Sequence, residues 1–237
     1  MTDLRNKVAF VTGAGSGVGR AVSLGLAGLG VVTALGGRRL EPLDAVAAEI
    51  ETAGGRAIVL PVDISDEEEV EVAFEQLIEA AGGVDLLINC AGVGIYGRVE
   101  DYAIEDWHET LETNVTGLFL CCQAALPSMR ARGGGHIVAI SSGAGRRGYA
   151  NLAAYSASKF AVIGFMESLA EEVGVEGIKC TTILPGSILT DFGPRSLEEK
   201  RESDKKYLRP EDVAEAIIQV LRQPSHVWTQ QVNLWPF

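Results

Sequence analysis

Six short apolar runs, each separated from the next by a helix-compatible stretch, leave this chain few ways to fold. The runs are Lys7–Thr12, Val31–Leu35, Ala57–Pro61, Val84–Asn89, His136–Ser141 and Ile178–Leu184. Helices fit between them, running to about Leu29, over Leu40–Thr52, about Asp66–Ala80, roughly Ile104–Ala131, and Tyr155 to about Val173. Apolar strands without a polar face, alternating with helices, call for a parallel sheet covered on both sides. Right-handed crossovers then give a doubly wound α/β arrangement, which binds ligands at the carboxyl ends of its strands. A helix starting at Pro210 and a last strand over about Val227–Leu234 bring the sheet to about seven strands. No Pro- or Ser-rich linker interrupts the pattern, so residues 1–237 are expected to form a single domain.

At 47% hydrophobic and 22% charged, the chain can bury a sizeable core and is not expected to be disordered. Its net charge of −12 argues against nucleic acid or an anionic membrane as partner, since both call for a basic field. Any anionic ligand must be held by local positive groups. Cys90, Cys121, Cys122 and Cys180 sit in apolar runs with neither CxxC nor zinc spacing. They predict buried free thiols, no metal site and a reducing cytoplasm. The uncharged stretch Ala21–Gly37 is short for a membrane span and rich in glycine, so no anchor is expected.

The first strand runs into Gly13-Ala14-Gly15-Ser16-Gly17-Val18-Gly19 and then a helix. Strand, glycine turn and helix N-terminus in succession aim backbone N–H groups at one point, which makes an anion site. The spacing differs from the common G-x-G-x-x-G fingerprint and lacks a P-loop lysine. In first position within a βαβ unit, the turn predicts a dinucleotide. The second strand ends in Gly36-Gly37-Arg38-Arg39. NAD-specific folds of this kind carry an acid near this point for the ribose hydroxyls. Here glycine stands in its place and two guanidiniums follow. A guanidinium matches a phosphate with two parallel hydrogen bonds. NADP(H) is therefore expected over NAD(H), with Arg38 favoured over Arg39 as the 2′-phosphate contact.

Tyr155-Ser156-Ala157-Ser158-Lys159 opens the fifth helical stretch. Residues four apart share a helix face, so Tyr155 and Lys159 present a phenol and an ammonium together. At about 4 Å and an effective dielectric near 20 the ammonium favours a phenolate by roughly 4 kcal/mol. That lowers a phenol by some two to three pKa units before desolvation opposes it, within range of proton transfer near neutral pH.

Around these two features lie Val62-Asp63-Ile64, Asn89-Cys90-Ala91-Gly92, Thr113-Asn114-Val115, Ser142 thirteen residues before Tyr155, and Pro185-Gly186-Ser187-Ile188-Leu189-Thr190. In this order, with the glycine turn and Tyr-xxx-Lys, they resemble the short-chain dehydrogenase/reductase (SDR) family in its compact, Rossmann-like form, over residues 5 to about 190. The resemblance implies a cofactor held by Gly13, Gly15, Ser16, Gly17, Val18 and Gly19, with Asp63 beside Ile64 at the adenine. It adds Asn89, Ala91 and Gly92, although Cys90 replaces the family's second asparagine. Pro185, Gly186, Ile188 and Thr190 would border the nicotinamide. It implies hydride transfer between NAD(P)(H) and a small-molecule alcohol or carbonyl. Tyr155 would be the general acid/base, and Lys159 would tune Tyr155 and bond the nicotinamide ribose. Ser142 would hydrogen-bond the substrate oxygen, and Asn114 would hold a water linking Lys159 to solvent.

Three loops would supply substrate contacts: Val93, Ile95 and Tyr96; Arg147, Tyr149 and Leu152; and Ile188, Leu189 and Phe192. Arg147 is either a solvated loop charge or a carboxylate partner. The charge-rich segment 187–209 has few core residues and is expected to be a mobile lid. The helices bearing Leu118–Cys122 and Phe160–Leu169 are apolar on more than one face, and the resemblance implies that they pair across a homodimer or homotetramer. Two other readings are a non-catalytic NAD(P)-binding sensor or scaffold, and a nucleotide-sugar epimerase or dehydratase. The complete Asn-Ser-Tyr-Lys set opposes the first, and the short chain after the sheet opposes the second.

Overall fold

The strands are β1 (Val8–Thr12), β2 (Val32–Gly37), β3 (Arg56–Pro61), β4 (Leu86–Asn89), β5 (Gly135–Ile140), β6 (Ile178–Pro185) and β7 (Gln231–Leu234). In this computed structural model, which describes residues 1–237, they form one parallel sheet in the order β3-β2-β1-β4-β5-β6-β7. The order reverses between β1 and β4, and the crevice there opens at the carboxyl ends of both strands. This is the expected doubly wound α/β domain.

Both faces of each central strand are buried, which explains the unbroken apolar runs. In β1, Val8 and Phe10 join one core while Ala9 and Val11 join the other. The first core is closed by α3 (Glu67–Ala81), α5 (Gly117–Ala131) and α6 (Ala153–Val173), through residues such as Phe74, Met129 and Met166. The second is closed by α1 (Gly17–Ala27), α2 (Leu40–Thr52) and α8 (Pro210–Leu221), through Leu26, Leu43 and Ile217. Each such side chain contributes about 1.5–3 kcal/mol by leaving water.

Several expectations need correction. The helix expected over Ile104–Ala131 is α4 (Ile104–Leu111), a π-helical stretch Glu112–Thr116, and then α5. A π-turn offsets the side chains of the flanking helices and is frequent at functional sites. Asn114 lies within it. Gly25 faces a neighbouring helix rather than the sheet: a Cβ there would sit 2.6 Å from the end of the Ile218 side chain on α8, while Gly28 lies just past the end of α1. The last strand begins at Gln231 rather than Val227. Ahead of it Trp228 Nε1 donates to Cys180 O at 2.8 Å, and Thr181 Oγ1 donates to Thr229 O at 2.6 Å. Segment 187–209 contains a short helix, α7 (Leu197–Glu202), fixed at its start by a Ser196–Glu199 capping box. No helix is long and apolar enough to cross a membrane.

Two buried polar groups anchor the sheet at the end away from the crevice. Asp85 accepts hydrogen bonds from Lys7 Nζ at 2.8 Å, Arg132 Nη2 at 2.8 Å and Val8 N at 2.9 Å. Burial works to raise its pKa, but these partners hold it below the ordinary carboxylate value. His136 Nε2 meets Thr181 Oγ1 at 2.8 Å. Burial, with a smaller repulsion from Lys179, pushes the imidazole down from 6.5 to about 3. The unfolded chain therefore takes up a proton at His136 that the folded chain refuses. The contribution of His136 is fully present above about pH 6.5 and is lost as the pH drops towards about 3, by about 1.4 kcal/mol per unit. Urea denaturation at pH 7 and 4.5 is expected to show a loss of about 2–3 kcal/mol in wild type that His136→Gln lacks; equal losses would remove this account.

Candidate active site

The cleft at the β1–β4 crevice has a volume of about 210 Å³. Of the residues expected at a cofactor, it is lined by Gly13, Gly15, Ser16, Arg38, Arg39, Asp63, Ile64, Ala91 and Gly92. Chain segments distant in sequence meet here because β1, β2, β3 and β4 all end on this edge. The fit to a dinucleotide rests on the turn itself. Gly13 has φ +65°, and a Cβ there would lie 2.9 Å from Ala91 N. A Cβ on Gly19 would lie 2.2 Å from Gly13 O. The loop closes tightly enough to present backbone N–H groups only because these side chains are missing.

Arg38 reaches Asp63 at 3.8 Å. Burial tends to raise the Asp63 pKa, but hydrogen bonds from the Ser65 side chain and backbone, with the Arg38 charge, bring it below the ordinary value. The end of the cleft beside β2 and β3 thus holds one carboxylate and two guanidiniums.

Val18, Asn89, Ile188 and Thr190 do not line this cleft. Asn89 turns inward, with Nδ2 pointing to Cys122 Sγ at 3.8 Å and Oδ1 buried without a partner. Val18 packs on the core beneath α1. Ile188 packs on the same core and bridges to Leu208. Thr190 touches the turn, its Cγ2 lying 3.3 Å from where a Gly17 Cβ would be. This brings the end of the Pro185–Thr190 segment back to the glycine turn. Gly37, Pro42, Leu43, Val62, Val93 and Thr113 also line the cleft. Val93 was expected at the substrate, Gly37, Val62 and Thr113 only as neighbours of named residues, and Pro42 and Leu43 carried no signal.

At the inner end, β5 delivers Ser142, α6 delivers Tyr155 and Lys159, and the π-turn delivers Asn114. The Asn114 amide clamps the backbone of Val93, accepting from its N–H at 2.8 Å and donating to its carbonyl at 2.9 Å. It also donates to Ser158 Oγ at 3.0 Å, and Ser158 Oγ donates to Tyr155 O at 2.8 Å. Lys159 Nζ donates to Ile140 O at 2.9 Å. A Cβ on Gly92 would lie 3.0 Å from Asn114 Oδ1 and 3.6 Å from Lys159 Nζ, so the cofactor cleft abuts this group directly.

The electrostatics differ from the helix-spacing expectation. Lys159 Nζ lies 5.7 Å from the centroid of the Tyr155 ring. Burial pushes the phenol well above its ordinary value, with repulsion from Tyr96 adding to this and a hydrogen bond with Ser142 opposing it. Burial also lowers the Lys159 ammonium to about 8. Helix spacing predicts a lowering by Lys159; burial is the largest influence on the phenol and raises it. The phenol is therefore held protonated, in the form that can donate.

Two further features were missed in the sequence. A small cavity of about 10 Å³ lies among Asn89, Asn114, Ile140 and Lys159, about the size of one water. Trp235, just past β7, lays its indole over two glycines of the site. A Cβ on Gly143 would sit 2.5 Å from it, and one on Gly186 2.9 Å from it.

Residues 7–201 match the short chain dehydrogenase family. The chain is 36% identical over its whole length to an uncharacterized oxidoreductase of Staphylococcus haemolyticus, all of which is covered. It is 38% identical, over 98% of its length, to glycine betaine reductase of Emericella nidulans, but spans only 19% of that protein. Among solved structures, an alcohol dehydrogenase from Thermococcus sibiricus bound to 5-hydroxy-NADP superposes with TM-score 0.88 at 30% identity, covering 96% of this chain and 95% of the other. A 7α-hydroxysteroid dehydrogenase bound to NADH superposes with TM-score 0.88 at 29% identity, covering 97% and 93%.

Proposed function

The chain belongs to the short-chain dehydrogenase family, an NAD(P)-dependent oxidoreductase family, and on that premise we propose that it transfers a hydride between NADP(H) and a ketone or secondary alcohol, with Tyr155 as the acid/base. The observation that carries this reading is the direct contact between the glycine-built cleft, at Gly92, and the Asn114–Lys159 pair. Bound nicotinamide supplies or accepts the hydride.

The remaining work belongs to the chain. Reduction builds negative charge on the substrate oxygen, which needs a proton and hydrogen bonds aimed at it. Tyr155 holds that proton at its hydroxyl and takes one back in the reverse direction. Ser142 hydrogen-bonds the same oxygen. Lys159 positions the ribose and compensates charge at Tyr155. The cavity beside Lys159 supports the water route from Asn114, and Asn89, whose Oδ1 is buried without a partner, also lines it. Gly13 to Gly19 seat the pyrophosphate, and Thr190 lies against that turn at Gly17. Segment 187–209 serves as the lid over the substrate side.

Arg38 and Arg39 support NADP(H) over NAD(H), since both guanidiniums line the adenosine end. Arg38→Ala is expected to lower the NADPH-over-NADH preference in kcat/KM by about ten- to a hundredfold, the worth of a charge-assisted bidentate pair. Rates followed at 340 nm over a panel of ketones test the reading as a whole; an unchanged preference would remove Arg38 from the phosphate. Phe119 on α5 and Phe160 on α6 are 44% and 47% exposed. These apolar faces support self-association as a dimer or tetramer. Light scattering is expected to give two or four times the chain mass of 25.1 kDa, and a stable monomer would contradict it.

A further inference from the structure

We infer that the substrate side of this site is built for a ketone or secondary alcohol whose reacting carbon carries a flat apolar ring, and that Phe192, seated by Lys200, sets this preference. The inference rests on the proposed carbonyl chemistry at Tyr155. The Tyr155 ring has two aromatic neighbours. Tyr96 stands edge-on at a centroid distance of 5.6 Å, and Phe192 is tilted at 5.8 Å. Any carbonyl that reaches the Tyr155 hydroxyl brings its substituents against these rings, and aromatic faces favour flat apolar groups.

The position of Phe192 is specified on three sides. Its ring lies on Gly94, where a Cβ would come within 2.6 Å of Cε1. The next residue, Gly193, has φ +86°, and a Cβ there would sit 3.1 Å from Tyr96. Third, Lys200 of α7 is only 8% exposed, and its ammonium donates to Thr190 O at 2.5 Å and Phe192 O at 2.6 Å. A buried ammonium is costly unless it is hydrogen-bonded, and these two carbonyls flank the turn that aims Phe192. Asp191, between them, accepts Leu197 N at 2.9 Å, fixing α7 to the same turn. Lys200 is thus a positioning residue that acts through Phe192. The guanidinium of Arg147 stacks on Tyr149 at 4.7 Å, so the loop cation considered for a carboxylate already has a partner.

The test compares acetophenone with 2-butanone at saturating NADPH. Wild type is expected to favour acetophenone in kcat/KM by at least about tenfold, the scale of apolar pocket discrimination. Phe192→Ala and Lys200→Met should each reduce that ratio about tenfold, while Lys200→Arg, which can still donate to both carbonyls, should restore most of it. Hydrogen exchange separates the two roles: amides of residues 189–200 should exchange faster in Lys200→Met and not in Phe192→Ala. A wild-type ratio near one, or a Lys200→Met ratio equal to wild type, would overturn the inference while leaving hydride transfer standing. If neither ketone nor any other carbonyl is reduced by enzyme that binds NADPH, the parent reading fails and this one with it.

Discussion

Tyr155→Phe is expected to lower kcat by at least about a hundredfold, the usual worth of a positioned acid/base, while NADPH still binds. The substitution removes one oxygen from a side chain that is 7% exposed and wedged between Tyr96 and Phe192. The ring keeps its packing, so the loss falls on proton transfer. Isothermal titration with NADPH and single-turnover reduction of a ketone separate the two effects. Normal binding with lost turnover supports Tyr155 as the acid; near-normal turnover would remove it. The pH dependence adds a check. Burial holds the Tyr155 phenol above its ordinary value, so ketone reduction should not lose its acid below pH 9.

Gly19→Ala is expected to weaken NADPH binding by about ten- to a hundredfold, matching the roughly 1–3 kcal/mol of strain from an added methyl in a tight site. The new Cβ would meet Gly13 O at 2.2 Å. Both partners there are backbone, so no side chain can swing away and the phosphate turn must open. Titration with NADPH reads the loss, and circular dichroism with thermal melting confirms that the sheet is intact. Unchanged affinity in a folded variant would mean that the turn does not hold the pyrophosphate.

The fold was legible because β1, β4 and β5 are apolar on both faces, a pattern that only a sheet covered on both sides satisfies. The cofactor turn was legible because glycine is required where backbone approaches backbone, as at Gly13 and Gly19. The π-turn around Asn114 was not, since its residues continue the helical pattern and the offset is set by packing against Val93 and Ser158. For Tyr155 and Lys159, helix spacing gave proximity but not the depth of burial that raises the phenol. Lys200 was hidden inside Glu198-Glu199-Lys200-Arg201-Glu202, a run that reads as a solvated surface. Trp235 sat in a tail whose glycine partners, Gly143 and Gly186, are distant in sequence.

Hydride transfer is tested most directly by following the hydride. NADPH carrying deuterium at the nicotinamide C4, incubated with the enzyme and a ketone that it turns over, is expected to yield an alcohol with one deuterium on the carbinol carbon. In Tyr155→Phe less alcohol should form in a given time, and each molecule that does form should still carry that one deuterium. Alcohol formed without deuterium from either C4 position, or NADPH bound with no carbonyl ever reduced, would contradict the proposed oxidoreductase chemistry.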